Sequence, residues 1–240
     1  MDIALFERDG FAIVPSPFCA NTLSNLSRNL DIQAAGFSGV RRGGTRDVVD
    51  QLPLLHNIAE HIEILRIVSE VLGEEAFLAR ATLFDKTPGA NWKVPWHQDV
   101  TIAVKERRDT HGYGPWSIKS DIPHVQPPSH VLERMLTIRL HIDPCPETNG
   151  ALWVIPGSHH LGRLNQNEAN SHVNEELAVC CAVNAGDILA MRPLLIHSSS
   201  ASLEPAHRRV LHFDFAIGDL ANALQWRMRD YARRSLFHKP

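Results

Sequence analysis

From residue 76 onward the chain is a succession of short β-type runs separated by Gly- and Pro-containing turns, at 77–85, 99–104, 135–142, 151–155, 178–183, 187–192 and 208–217. Several runs alternate apolar with polar residues, as half-buried strands do. Many short strands of this kind predict a sandwich or jelly roll. All-β folds of this length commonly form one domain, so residues 1–240 are expected to make a single domain. With 44% hydrophobic and 21% charged residues, the chain can bury a core without disulfide staples.

The first third reads as helical cover for that sheet. Residues 3–8 predict a short helix ending at Gly10, and Phe11–Val14 a strand broken by Pro15 and Pro17. Leu23, Leu26 and Leu30 recur at helical spacing over 21–32, with Asn21 as N-cap. Over 57–72, Ile58, Ile62, Leu65, Val68 and Leu72 predict one amphipathic helix stopped by Gly73. Residues 105–134 are polar, rich in Pro and Gly, and without a period, which reads as a lid or substrate loop.

Charge narrows the function classes. The net charge is −3, and no long basic run supports nucleic-acid or membrane-surface binding. Arg227, Arg229, Arg233 and Arg234 read as a solvated helix face. Cys19, Cys145, Cys180 and Cys181 form no CxxC pair and are expected to be reduced and mostly buried. The N-terminus lacks the apolar stretch of a signal peptide, and no run of about 18 apolar residues exists. A cytoplasmic protein acting on a small molecule is the expectation.

The chemistry concentrates in histidines. On an extended segment residues i and i+2 share a face, so His97 and Asp99 can present an imidazole and a carboxylate to one point. His197, after a turn and two apolar runs, can supply a third ligand. Two histidines and one carboxylate leave coordination positions open on iron(II), enough for a bidentate 2-oxo acid and oxygen. The pattern alone is weak, because His141-Ile142-Asp143 repeats it among 14 histidines. His141 reads as a strand-end residue and Asp143 as a turn former. His159 and His160 are adjacent and would point apart. His212 and Asp214 share a strand face and receive no catalytic role.

Three segments in order carry a family resemblance. They are Trp96-His97-Gln98-Asp99, then Asn149 through Pro156-Gly157-Ser158-His159, then Gly186-Asp187 through His197 to Arg208-Arg209. With them the chain resembles the phytanoyl-CoA dioxygenase family of iron(II)- and 2-oxoglutarate-dependent oxygenases, over most of its length. The resemblance implies a mainly β fold, a double-stranded β-helix (cupin-like jelly roll) with flanking α-helices. It implies His97, Asp99 and His197 as iron ligands. It implies a basic residue eleven positions beyond the distal histidine, Arg208, that pairs with the far carboxylate of 2-oxoglutarate. An arginine fork suits that carboxylate, and strand alternation sends Arg209 to the opposite face.

Ser199, Trp116 and Lys86 are further co-substrate contacts on the same resemblance, with Phe84 and Arg46 as weaker candidates. Arg139 is a candidate for an anionic substrate if it points inward. Asp99 stands where related halogenases carry a small residue, which favours hydroxylation of a C–H bond with release of succinate and carbon dioxide. The competing classes are a cupin-like metal-dependent isomerase or lyase, and a non-catalytic ligand-binding relative.

Overall fold

The computed structural model describes residues 1–34, 44–46, 48–203 and 207–229. Its strands are β1 (Phe11–Val14), β2 (Thr45–Arg46), β3 (Phe77–Lys86), β4 (Val94–His97), β5 (Ile102–Ala103), β6 (Trp116–Lys119), β7 (Ile122–Val125), β8 (Met135–His141), β9 (Leu152–Val154), β10 (Val179–Cys181), β11 (Ile188–Met191), β12 (His197–Ser199) and β13 (Arg208–Ala216). The helices are α1 (Ile3–Asp9), α2 (Ala20–Ala34), α3 (Val48–Gln51), α4 (Pro53–Ala59), α5 (Ile62–Leu72), α6 (Ser129–Leu132) and α7 (Gln166–Ser171).

A major sheet, ordered β1-β11-β8-β13-β3-β2, faces a minor sheet, ordered β10-β9-β12-β4. All their pairings are antiparallel. This is a jelly roll with helices packed on it. Alternation along β13 divides its labour. Leu211, Phe213 and Phe215 join Leu136, Ile138 and Leu140 of β8 against Leu26 and Leu30 of α2 and Ile64, Ile67 and Val68 of α5. The opposite face of the same strands carries Arg208, His212 and Asp214 beside Thr137, Arg139, Thr82 and Lys86, all buried. The sandwich interior is therefore polar over β3, β8 and β13. It is apolar over β11, where Leu189 and Met191 meet Leu152, Val154 and Leu195.

Several expectations are corrected. The helix expected over 57–72 is two helices, because the imidazole of His61 accepts from the Glu63 amide and caps α5. That break resets the helical phase. Ile62 is 70% exposed, and Ile64 and Ile67 take the buried face instead. Helix α2 starts at Ala20, so Asn21 lies in its first turn and is not its N-cap. The run expected at 99–104 shrinks to β5, because Asp99 sits in a connection whose amide donates to the Pro193 carbonyl. The segment 105–134 is not irregular: β6 and β7 form a hairpin that pairs with β5 in a third sheet, ordered β5-β7-β6. The hairpin turns through Ser120 and Asp121, both at positive φ. Asn-Gly or Asp-Gly is the readable signal for such a turn, and Ser-Asp is not.

Arg227 and Arg229 are not on a helix; Arg229 pairs with Asp219 and lies over the Phe77 ring. Arg233 and Arg234 lie outside the described residues. All four cysteines are free, with Cys145 and Cys181 buried and Cys19 exposed. No described helix is long and apolar enough to cross a membrane.

Candidate metal centre

His97 and His197 are brought together by strand pairing. They stand directly opposite each other in the β4–β12 register, with ring centroids 4.2 Å apart. Asp99 enters two residues beyond His97. Its carboxylate oxygens lie 3.9 Å from His97 Nε2 and 3.7 Å from His197 Nε2. One ligand atom from each residue falls within 4.8 Å of the others, so the three side chains could hold a single metal ion.

Both rings are set for that role by their other nitrogen. His97 Nδ1 bonds the Pro95 carbonyl and His197 Nδ1 bonds the Leu195 carbonyl, each at 2.8 Å. A carbonyl only accepts, so Nδ1 carries the proton and Nε2 presents a bare lone pair. Burial, then repulsion from His97, holds His197 down to about 3, so it stays neutral as a metal ligand must. Asp99 is partly buried, and the desolvation works against its charge. The histidines and Arg80 overcome this and hold its carboxyl well below the usual range.

Gln98, between the ligands, fastens this loop. Its Nε2 donates to the carbonyls of Leu194 (2.7 Å) and Gly162 (2.9 Å), and its Oε1 accepts from the Leu164 amide. The His97–Asp99 connection is thereby tied to the segment that leads into His197. Sequence inspection alone assigned Gln98 nothing.

Beside the triad lies a cavity of ≈ 90 Å³, lined at one end by Lys86, Ser199 and Arg208 and further along by Phe84, Arg139 and His212. Arg208 donates to the Gly150 carbonyl and lies 3.3 Å from Ser199 Oγ. Lys86 donates to Ser199 Oγ at 2.8 Å and to the Ser200 carbonyl at 2.6 Å. Gly150 takes φ +69°, and a Cβ there would come within 2.5 Å of the Ser200 oxygen, so the backbone geometry that aims its carbonyl at Arg208 and Ser199 needs glycine.

The cavity is short of negative charge. Lys86, Arg139 and Arg208 are all buried, and Asp99 is the single carboxylate among its lining residues. Burial, then Arg208, pushes Lys86 down to about 7 and Arg139 down to about 10. The Nε atoms of Arg139 and Arg208 are buried without partners. Unsatisfied buried donors are costly, and a carboxylate placed here would satisfy them. The donor set of the triad and this cationic cavity fit a divalent metal and a dianionic chelator.

Lys86 makes a signed pH prediction. Without ligand, the folded protein binds fewer protons than the unfolded chain between about 7 and the ordinary lysine value of 10.5. Stability of the ligand-free protein should therefore rise with pH from about 7 to 9. A bound carboxylate would hold the proton on Lys86, so 2-oxoglutarate affinity should fall over the same interval, by up to about tenfold per pH unit. Melting curves and binding titrations across that range test both slopes, and Lys86→Met should flatten both.

The remaining candidates divide. Arg139 and His212 face the cavity, and Arg139 Nη1 lies 3.0 Å from His212 Nδ1. His212 Nε2 then donates to Asp214, which also accepts from Thr137 and Arg80. Arg209 points the other way and pairs with Asp143 and Asp31. Asp143 is thus occupied as an ion-pair partner, and His141 is buried, held neutral by burial, and outside the triad cluster. His159 is locked under Gly10 and bonds the Glu7 carbonyl.

Trp116 is a correction. It lies on the edge strand of the third sheet under the Arg107 guanidinium and is not among the cavity residues. The tryptophan that does line the cavity is Trp92, whose ring lies 5.7 Å from Lys86 Nζ. No periodicity marks Trp92. Arg80 could have been found, because it alternates with Thr82, Phe84 and Lys86 on one face of β3.

A jelly roll that gathers two histidines and a carboxylate at one point belongs to the facial-triad class of metalloproteins. A sequence model of the phytanoyl-CoA dioxygenase family matches residues 6–210, and the chain belongs to that family. Proteins of the family use iron(II), 2-oxoglutarate and oxygen. Phytanoyl-CoA dioxygenase 1 of Oryza sativa subsp. japonica is 25% identical over 165 residues, taking in 65% of this chain and 49% of that protein. The chain thus spans about half the length of that curated relative.

Among solved structures, the epimerase SnoN from nogalamycin biosynthesis, in complex with Fe3+, alpha ketoglutarate and nogalamycin RO, superposes with a TM-score of 0.68 at 17% identity, covering 92% of this chain and 89% of SnoN. HygX from Streptomyces hygroscopicus, with nickel and 2-oxoglutarate bound, gives 0.65 at 16% identity, covering 89% and 85%. EctD from S. alaskensis in its apoform gives 0.68 at 17% identity, covering 89% and 75%. At these identities the likeness is one of fold.

Proposed function

We propose that this protein is a non-haem iron(II)- and 2-oxoglutarate-dependent dioxygenase that hydroxylates a C–H bond of a small molecule. The observation that carries the reading is the pairing of a metal-ready triad with a buried cationic cavity whose arginine Nε donors lack partners. His97, Asp99 and His197 would hold the iron. Arg208, assisted by Ser199 and Lys86, would anchor the far carboxylate of 2-oxoglutarate, and Arg139 would add positive charge along its length. When bound, the iron and 2-oxoglutarate supply the oxidising chemistry, with succinate and carbon dioxide as co-products. The protein's part is to orient the two and exclude water. The β6–β7 hairpin would close over the mouth as a lid.

The cation set also favours this reading over a cupin-like isomerase, which has no need of a dianion site. Supplying the protein with iron(II), ascorbate, 2-oxoglutarate and a substrate panel should give oxygen-dependent succinate, together with a product that has gained one oxygen atom. A product of unchanged mass alongside succinate would mark an epimerase. Metal-dependent conversion without oxygen uptake would overturn the oxygenase reading.

A further inference from the structure

Across Asp99 from the Arg208 end of the cavity is a second group of basic side chains. Arg80 of β3 donates to Asp214 at 2.6 Å and to the Thr101 carbonyl at 3.2 Å. Arg46 of β2 stands opposite Thr82 in the register, so it shares the inward face with Arg80. From the third sheet, Lys119 Nζ reaches Thr101 Oγ1 at 3.2 Å. His124, across from Ser117 on the same hairpin, is fully buried; its Nδ1 bonds the Ile122 carbonyl and its Nε2 has no partner.

These groups sense one another. Beyond its desolvation, Lys119 is repelled by Arg80 and Arg46 and attracted by Asp99. Arg46 is likewise repelled by Arg80. Asp214 is shared among Arg80, Thr137 and His212, and Asp99 would be committed to the metal. The other lysines and arginines of the 105–134 segment are differently occupied: Lys105 bonds Gln225, Arg107 pairs with Asp109, Arg108 with Glu106, and Arg134 bonds the His130 carbonyl. Lys119 is the one held at Thr101, two residues beyond Asp99 in sequence.

We infer that Arg46, Arg80 and Lys119 form a binding site for an anionic group of the primary substrate, a carboxylate or a phosphate, which holds that substrate across the metal from the 2-oxoglutarate anchor. This rests on the oxygenase reading and adds the chemical class of the substrate to it. Arg80, fixed by Asp214, sets the floor of the site. Lys119, carried on the hairpin, reaches the anion from beside Thr101.

The probe is inorganic phosphate, small enough to bind without a shape match. Protein loaded with nickel(II) and saturating 2-oxoglutarate, so that Lys86, Arg139 and Arg208 are already occupied, is titrated calorimetrically at constant ionic strength. One saturable site is expected. Lys119→Met should weaken it about tenfold, the loss expected for one charge-assisted hydrogen bond. Arg46→Gln should also weaken it, and Arg107→Met should leave it unchanged. Melting temperatures confirm that each variant is folded. A parallel acetate titration separates the two anion chemistries: tighter acetate assigns a carboxylate substrate, tighter phosphate a phosphate ester. Phosphate binding equal in Lys119→Met and Arg107→Met, or no saturable binding, overturns the anion site while 2-oxoglutarate binding stands. Failure to bind 2-oxoglutarate at the loading step overturns the reading beneath it.

Discussion

Asp99→Ala should abolish stoichiometric iron(II) binding and leave the fold intact. The carboxylate is the sole anionic member of the triad, and its oxygens lie 3.9 and 3.7 Å from the two Nε2 atoms. Altering a partner behind a metal ligand typically costs 10–100-fold in affinity, so removing the charged ligand itself should cost at least about a hundredfold. The connection keeps its shape without the carboxylate, because the Asp99 amide bonds Pro193 and Gln98 holds three backbone groups. The second His-x-Asp is the internal control. His141→Ala should leave iron binding unchanged, since His141 stands outside the cluster. Equilibrium dialysis against iron(II) under anaerobic conditions measures both. Iron affinity that persists in the His97→Ala, Asp99→Ala double variant would sink the ligand assignment.

Arg208→Ala and Arg209→Ala should fail in opposite ways. Arg208 faces the cavity with an unpartnered Nε and no carboxylate beside it. Removing it should weaken 2-oxoglutarate by roughly a hundredfold or more, as truncating one member of a buried charge pair does. Stability should hold or improve, because a buried uncompensated cation is removed. Arg209 lies on the other face, bonded twice to Asp143 and also to Asp31 and Ser27. Its loss should cost about 3 kcal/mol of stability, discounted for the exposure of Asp31, with little change in 2-oxoglutarate affinity. Binding titrations and denaturant melts of the two variants give the answer. The reverse ranking would mean that β13 is shifted by one residue, which would turn every side chain on it to the other face.

Much of the site was legible because its chemistry follows short-range periodicity. His97 and Asp99 share a face at i and i+2, Ser199 repeats the face of His197, and Arg208 and Arg209 must part on a strand. Lys86 and Phe84 were readable for the same reason. What escaped was set by contacts distant in sequence. Trp92 lines the cavity from a stretch without period, and Trp116 is held away from it on the edge of a sheet whose hairpin turn carries no Gly. The broken helix at His61 escaped because a histidine is an uncommon cap and the apolar stripe ran on past it.

The sequence by itself determined the jelly-roll class and a short set of residues able to bind metal and a carboxylate. Hydrophobic alternation decides which side of a strand is buried, and ligand chemistry restricts which residue types can serve. Only the tertiary structure brought one of the two His-x-Asp motifs against His197, left the other outside the cluster, and set Lys119 beside Thr101. Those choices depend on strand register: His197 lies opposite His97, Arg46 opposite Thr82, and Asp143 beside Arg209. Pairing across some hundred residues is a property of the packed sheet, so local periodicity cannot encode it.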